Sequence, residues 1–183
     1  MKWKFEPGHS AAEFRARHMM VTWVRGSFKN VEGALDFDPD HPEALAVEAN
    51  IDATMCWSGE PMRDEHLRSA DFLYCEKYPS IRYASTGAVQ IGPVDFEVLG
   101  NLTIRAVTLP VTLSVRYLGT WQTPWWEDGV DKGPKARVGF TGKASIDRYD
   151  FGVNWNGDLP DGGIIVSRRI DIVLDVEGIR VDT

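Results

Sequence analysis

A two-residue hydropathy period runs through most of this chain and limits its fold more than any other feature. Val107, Leu109, Val111, Leu113, Val115 and Tyr117 alternate with Thr108, Thr112, Ser114 and Arg116. Val94, Phe96, Val98, Leu102 and Ile104 alternate with Asp95, Glu97, Asn101 and Thr103. Ile170, Ile172, Leu174 and Val176 do so with Asp171, Asp175 and Glu177, and Leu45, Val47, Ala49 and Ile51 with Glu48, Asn50 and Asp52. Successive strand side chains point to opposite faces, so the pattern predicts antiparallel sheet with one face in a core and one in water. Strands are expected near residues 10–20, 23–37, 44–53, 80–91, 94–105, 107–119, 136–148 and 164–180, with a short extra one from Trp3 to Phe5. Eight long strands in hairpin order predict an all-β fold, as an up-and-down antiparallel barrel or a sandwich. Closure into a barrel is favoured because it leaves no long unpaired edge. Gly26, Gly100, Gly139, Gly142 and Gly152, in or beside strands, suit the bends that closure requires.

At 183 residues the chain is expected to form a single domain over 1–183. Its net charge is −7, and no Lys/Arg run occurs. Phosphate binding needs a clustered basic face, so this balance argues against nucleic acid and against anionic lipid surfaces. A neutral ligand, or one met by a few placed arginines, stays open. No apolar stretch approaches the ~20 residues of a membrane span. The start, Met1 to Pro7, has no apolar segment of a secretory signal. The chain as written is therefore expected in the cytoplasm, and in the periplasm or outside the cell if it is trimmed from a longer one. Cys56 and Cys75 lie 19 positions apart, show no metal-binding spacing and are expected to be free thiols.

Between the third and fourth long strands lies the one convincing helical stretch, expected to form a short α-helical cap. Ser58 can accept from a first-turn N–H, and Pro61 suits an early helical position. The helix is expected to run to about Leu73, with a break at Ser69 that caps a second short turn. Leu67, Ala70 and Leu73 fall on one face, which should lie on the barrel. Asp64 is expected to favour the helix start and to pair with Arg68 at i, i+4, worth ~0.3–0.5 kcal/mol.

Eleven strand residues at ~3.3 Å each make roughly 36 Å, and an eight-stranded barrel is either filled by its own side chains or wide enough for one small ligand. Ala12, Ala16, Ala49, Gly100 and Ala144 are inward by phase and favour a narrow apolar tube. Phe14, Phe28, Phe96, Val98, Leu113 and Phe140 would line it, and Phe14, Ala16 and His18 share one face of the first long strand. Two readings of His18 stand: a ring hydrogen-bonded to neighbouring protein groups, or a contact to a ligand's polar head. Arg63, His66 and Arg68 on the helix have a structural reading and a headgroup reading, in which Arg63 or Arg68 meets a pyrophosphate-like head at the barrel mouth and His66 is among the cap groups that orient it. Trp121, Trp125 and Trp126 could ring a ligand entrance or pack a loop. Trp155 sits in a turn-rich stretch, Asn154 to Asp158, placed at one barrel end. His9, His18, Asp64 and His66 lack a metal-ligand spacing, so no metal site and no cofactor are expected. Asp64 and His66, two positions apart on a helix, do not share a face. No nucleophile elbow or phosphate-binding loop occurs, so nothing specifies an enzyme.

Several of these segments resemble one family. Arg63-Asp64-Glu65-His66-Leu67-Arg68-Ser69-Ala70-Asp71-Phe72-Leu73 with Lys77-Tyr78-Pro79 resembles the helix segment of the YceI-like, polyisoprenoid-binding proteins. His9-Ser10 with Phe14 and His18, Gly26-Ser27-Phe28, Gly33-Ala34-Leu35-Asp36-Phe37, Gly100-Asn101-Leu102-Thr103-Ile104 with Val107 to Leu113, and Val176-Glu177-Gly178 extend the likeness over nearly the whole chain. The chain departs from the family's usual Gly and Lys in the central hairpin, having Ala106 and Leu109. The resemblance implies a lipocalin-like, eight-stranded antiparallel barrel that binds a long isoprenoid or similar amphiphile in its interior. Many such proteins are exported to the periplasm. Residues 120–134 are read as a loop, a rim or lid peculiar to a subgroup.

The expected function is a soluble, non-enzymatic carrier or reservoir that sequesters a small-molecule lipid, an isoprenoid or fatty-acyl amphiphile. Alternatives are an enzyme acting on an isoprenoid-like substrate through His18 or the Asp64/His66 pair, and a stress-linked structural barrel with a filled core. A homodimer formed through outward Leu99 and Val173 is possible.

Overall fold

The computed structural model describes residues 1–157, 159–160 and 162–181, so Asp158 of the turn-rich stretch lies outside the described residues. Ten strands form one antiparallel sheet among the described residues. They are β1 (Lys2–Phe5), β2 (Ala11–His18), β3 (Thr22–Lys29), β4 (Glu32–Asp36), β5 (Ala46–Asp52), β6 (Ser80–Gln90), β7 (Asp95–Ile104), β8 (Val107–Glu127), β9 (Val130–Asp147) and β10 (Arg169–Arg180).

The ten strands occupy eight positions around a closed barrel. Neighbours run β1, β4, β5, β6, β7, β8, β9, β10, and β10 returns to β1 through Trp3–Arg180, Lys4–Ile179 and Phe5–Gly178. Lower on β10, Asp171 to Asp175 pair with Arg15 to Ala11 of β2. β1 and β2 are thus one barrel strand interrupted by a 3-10 turn at Pro7–His9. β3 and β4 are likewise one strand broken at Asn30, whose φ is +57°. The single strand expected over 23–37 is corrected accordingly: the left-handed residue kinks the chain and lets its two halves pair with β2 and β4's partners separately.

The kink opens the wall. β4 pairs with β5, but above it β3 meets only an isolated bridge between Ser27 and Trp57. The segment from Ala53 to Pro79 occupies this side and carries α1 (Pro61–Arg68), which is shorter than the expected 58–73. The cap also differs. Glu60, not Ser58, accepts from the N–H groups of Met62 and Arg63. Ser58 instead donates its backbone N–H, 2.7 Å, and its hydroxyl to the buried Asp64 carboxylate. Asp64 therefore does not pair with Arg68, whose guanidinium donates to the Cys56 carbonyl at 2.8 Å. Ser69 ends the helix, and its hydroxyl accepts from the Asp71 N–H at the start of the next turn, as the sequence suggested.

Residues 120–134 are strand and not loop. β8 and β9 keep pairing out to Glu127–Val130, joined by Asp128 and Gly129 at φ of +52° and +76°. Both central residues are left-handed, which is the turn that a two-residue hairpin favours. The ribbon projects past the end of the barrel opposite α1.

That far end is plugged. Phe37 meets Phe140 edge-on at 5.0 Å, Phe96 at 6.2 Å and Tyr117 at 4.9 Å. Trp3, 1% exposed, donates its indole N–H to the Phe37 carbonyl at 2.9 Å. Among the inward small residues, Gly100 makes room for protein: a Cβ there would lie 2.5 Å from the Tyr83 hydroxyl oxygen and 2.6 Å from the Ala84 carbonyl. The Tyr83 hydroxyl sits between the Val98 and Val111 carbonyls at 2.9 and 3.1 Å, and burial pushes its pKa up to about 12.

The opposite end is organised by one side chain. Arg148, 4% exposed, opens the connection between β9 and β10. Its Nε donates to the Ser167 carbonyl, Nη1 to those of Val153 and Trp155, and Nη2 to that of Val166, at 2.6–3.1 Å. Among the described residues no carboxylate lies within 4 Å of it, and burial holds its pKa below the ordinary arginine value. Arginine suits this place because its planar fork reaches several acceptors at once. No helix is long and apolar enough to cross a membrane among the described residues.

Three expectations follow. Gly100→Ala should destabilise the fold by about 1–3 kcal/mol through overpacking against Tyr83, read as a lower midpoint in chemical denaturation; an unchanged midpoint would refute the close approach. Arg148→Met should cost about 3 kcal/mol or more, because several buried carbonyls lose a charged donor together, and Arg148→Lys should not restore it. Cys56 and Cys75 are both free and buried, and burial, with Asp64 adding to it, pushes the Cys56 thiol up to about 12. Both should resist thiol labelling at neutral pH until the protein unfolds; prompt labelling of the native state would contradict this.

Candidate functional site

Barrel closure, the aromatic plug and the α1 side together enclose an apolar cavity of about 480 Å³. The alternation read from sequence sets its walls. Ala12, Phe14, Ala16 and His18 of β2 face it, as do Val98 of β7, Leu113 of β8 and Phe140 of β9. From the α1 side come Arg63, His66, Leu67 and Phe72, and from the β9–β10 connection Arg148, Phe151, Val153 and Trp155. Ala16, Ala49 and Ala144 line the space as expected, whereas the place of Gly100 is taken by Tyr83.

Of the residues singled out in sequence, Phe14, Ala16, His18, Phe28, Arg63, His66, Val98, Leu113 and Phe140 are brought together around this cavity. Two are not. Phe96 points inward but sits at 2% exposure within the plug, edge-on to Phe37, and does not line the cavity. Trp121 is 70% exposed on the projecting ribbon, opposite Arg137. The ribbon's regular pairing carries it beyond the plugged end, so it forms no rim at the cavity.

The polar groups cluster at the α1 end. Arg63 is engaged with Ser58, its Nε donating to the hydroxyl and its Nη2 to the carbonyl, both at 2.8 Å. His66 does not work with Asp64; its Nε2 lies 2.8 Å from Asp71. The imidazole stands edge-on to Trp155 at 4.7 Å and to Phe72 at 5.0 Å. Its side chain is 39% exposed and lines the cavity. His18 ends β2, bridges to Val166 and faces the same space. Sequence reasoning missed Phe72, Arg148 and Trp155 as wall residues. The lone tryptophan among Asn and Gly in a connecting segment was a signal, because an exposed position there gives it nothing to pack on.

The four candidate metal ligands considered from sequence are dispersed. His18 faces the cavity, Asp64 holds Ser58, His66 holds Asp71, and His9 lies outside the barrel near Glu6 and Glu177. In that last group the ligand atoms lie within 4.8 Å of one another. Arg137 donates to the Glu177 carboxylate there, which supplies the positive partner. Leu99 and Val173 are exposed on β7 and β10, strands that are not neighbours in the barrel.

The arrangement has counterparts. Protein YceI of Escherichia coli O17:K52:H18 is 35% identical over 175 residues, spanning 96% of this chain and 84% of that one. A UPF0312 protein of Azotobacter vinelandii is 34% identical over the same shares. Among solved structures, BcnA of Burkholderia cenocepacia superposes with a TM-score of 0.74 at 22% identity, covering 92% of this chain and 95% of that one. A polyisoprenoid binding domain from Saccharophagus degradans, implicated in plant cell wall breakdown, gives 0.68 at 11% identity with 98% of each chain covered. At these identities the two structures share the fold, a closed eight-stranded antiparallel barrel with one helix. The YceI-like domain pattern matches residues 3–178, and the chain belongs to the YceI-like family.

Proposed function

We propose that this protein binds a long isoprenoid, or an amphiphile of similar tail, and acts as a carrier or reservoir without turning it over. The observation that carries the reading is the apolar cavity, with Phe140 of the aromatic plug in its wall and the polar groups His18, Arg63 and His66 gathered at the α1 end. Such a space rewards tail burial, since each CH2 removed from water contributes about 0.8 kcal/mol. Tight binding then needs no covalent chemistry. The name of the Saccharophagus degradans neighbour as a polyisoprenoid binding domain supports the same class of ligand. In this reading the tail lies between Phe14, Phe28, Val98 and Leu113, and the head rests near His18, Arg63 and His66. The alternative of a core filled from end to end does not fit a cavity of this size.

Native mass spectrometry checks the proposal. Recombinant protein should carry, or take up when offered, one prenyl alcohol or quinone per chain. Protein that stays ligand-free throughout would refute it. Ala16→Phe and Ala144→Phe, each placing a ring in the cavity, should weaken uptake by about tenfold or more, equivalent to about 1.4 kcal/mol. Far-ultraviolet circular dichroism should show that both variants remain folded.

A further inference from the structure

The hairpin of β2 and β3 gathers three features that cost stability. Its tip is Met19-Met20-Val21, with Met19 and Met20 both left-handed at φ of +47° and +61°. Bulky side chains are poorly accommodated in that conformation. The tip is apolar and in water, at 40%, 50% and 79% exposure. On the outward face Arg15 stands directly opposite Arg25, a like-charge pair; Asp171 of β10 meets Arg15 at 3.0 Å, while Arg25 is in no ion pair among the described residues. Residues 15–25 hold three arginines and no acid, in a chain of net charge −7. Local rules broken together in one place mark functional surface.

The order of these groups along the hairpin names the partner. Met19, Met20 and Val21 are outermost. Behind the His18–Thr22 pair Arg17 pairs with Trp23, and two steps further Arg15 pairs with Arg25. Both Arg15 and Arg17 lie over the Trp23 ring, at 4.5 and 5.1 Å. Apolar tip, then tryptophan, then arginine is the depth sequence of a bilayer leaflet: acyl boundary, interface, phosphate. We infer that the Met19–Val21 tip and its arginine–tryptophan belt dock this protein on a bilayer containing anionic phospholipid, with the α1 end of the cavity turned toward the membrane. The overall negative charge does not forbid this, because exposed charges act only over a Debye length of about 10 Å at ordinary salt. The inference stands on the hairpin and not on the identity of the cavity's ligand, although the two together describe lipid exchange at a membrane.

Vesicle flotation tests it with the full chain. The probes are phosphatidylcholine vesicles with and without phosphatidylglycerol. The protein should float with the phosphatidylglycerol vesicles, much less with the neutral ones, and should be released as salt rises from about 0.1 M to about 0.5 M. Val21→Asp and Arg25→Glu, both at exposed positions away from the cavity wall, should each lower the vesicle-bound fraction by about tenfold. Met20→Gly should dock less while melting no lower than the natural chain, since glycine relieves the left-handed residue. Failure to float with either composition would overturn the proposal, as would variants that float like the natural protein. Uptake of a prenyl alcohol from detergent, measured in parallel, separates the readings. Its loss with flotation intact strikes the carrier function, and the reverse strikes docking.

Discussion

Closure through β10 is the constraint on which the other features rest. This strand serves three neighbours: β9 along nearly its whole length, β2 over Asp171–Asp175 and β1 over Gly178–Arg180. A strand with two edges can do so only if the partner on one side is broken, and the turn at Pro7–His9 supplies that break. The seam is tight. A Cβ on Gly178 would lie 2.9 Å from Val138 and 3.2 Å from Trp3, so glycine is what lets β1 seat against β10. With β1 seated, Trp3 reaches Phe37 and fixes the plug. Closure therefore decides both that the sheet has an inside and where that inside ends.

The alternation made the sheet legible, because β2, β5, β7, β8 and β10 each place one face in a dry interior and one in water. The burial of Phe96, Val98, Gly100, Leu102 and Ile104 against exposed Glu97, Leu99 and Asn101 in β7 is that pattern made physical. What escaped the sequence was of another kind. The break at Asn30 depends on a backbone conformation that asparagine tolerates but does not require. Helix length exceeded its structure because Leu67, Phe72 and Leu73 pack inward from α1 and a following turn, a contact that any compact segment could make. The ribbon of residues 120–134 carried a readable cue, Asp128-Gly129, but its flanking residues alternate weakly since neither face is buried.

The site was legible to the same extent and for the same reason. Positions such as Phe14, Ala16 and Val98 reach the cavity because strand phase decides it. Phase gives direction but not depth, and Phe96 is the result: inward, yet packed on Phe37 within the plug and away from the cavity wall. Partners across long sequence separation were invisible. His66 finds Trp155, and Arg148 finds the carbonyls of Val166 and Ser167 at the far end of its own connection, through three-dimensional closure alone. Charge bookkeeping over the whole chain likewise concealed the local excess on the β2–β3 hairpin.

The aromatic stopper formed by Phe37, Phe140 and Tyr117 has a consequence for traffic. A tunnel with two doors admits molecules of any length, whereas a blind shaft acts as a gauge. Whatever enters tail-first has its depth fixed by where the shaft bottoms out, and any surplus is left outside. It must also depart by the door it used, head leading. Under the proposed carrier role, delivery and collection would share one doorway, and the direction of exchange would be set by the relative hold of protein and acceptor on the same molecule.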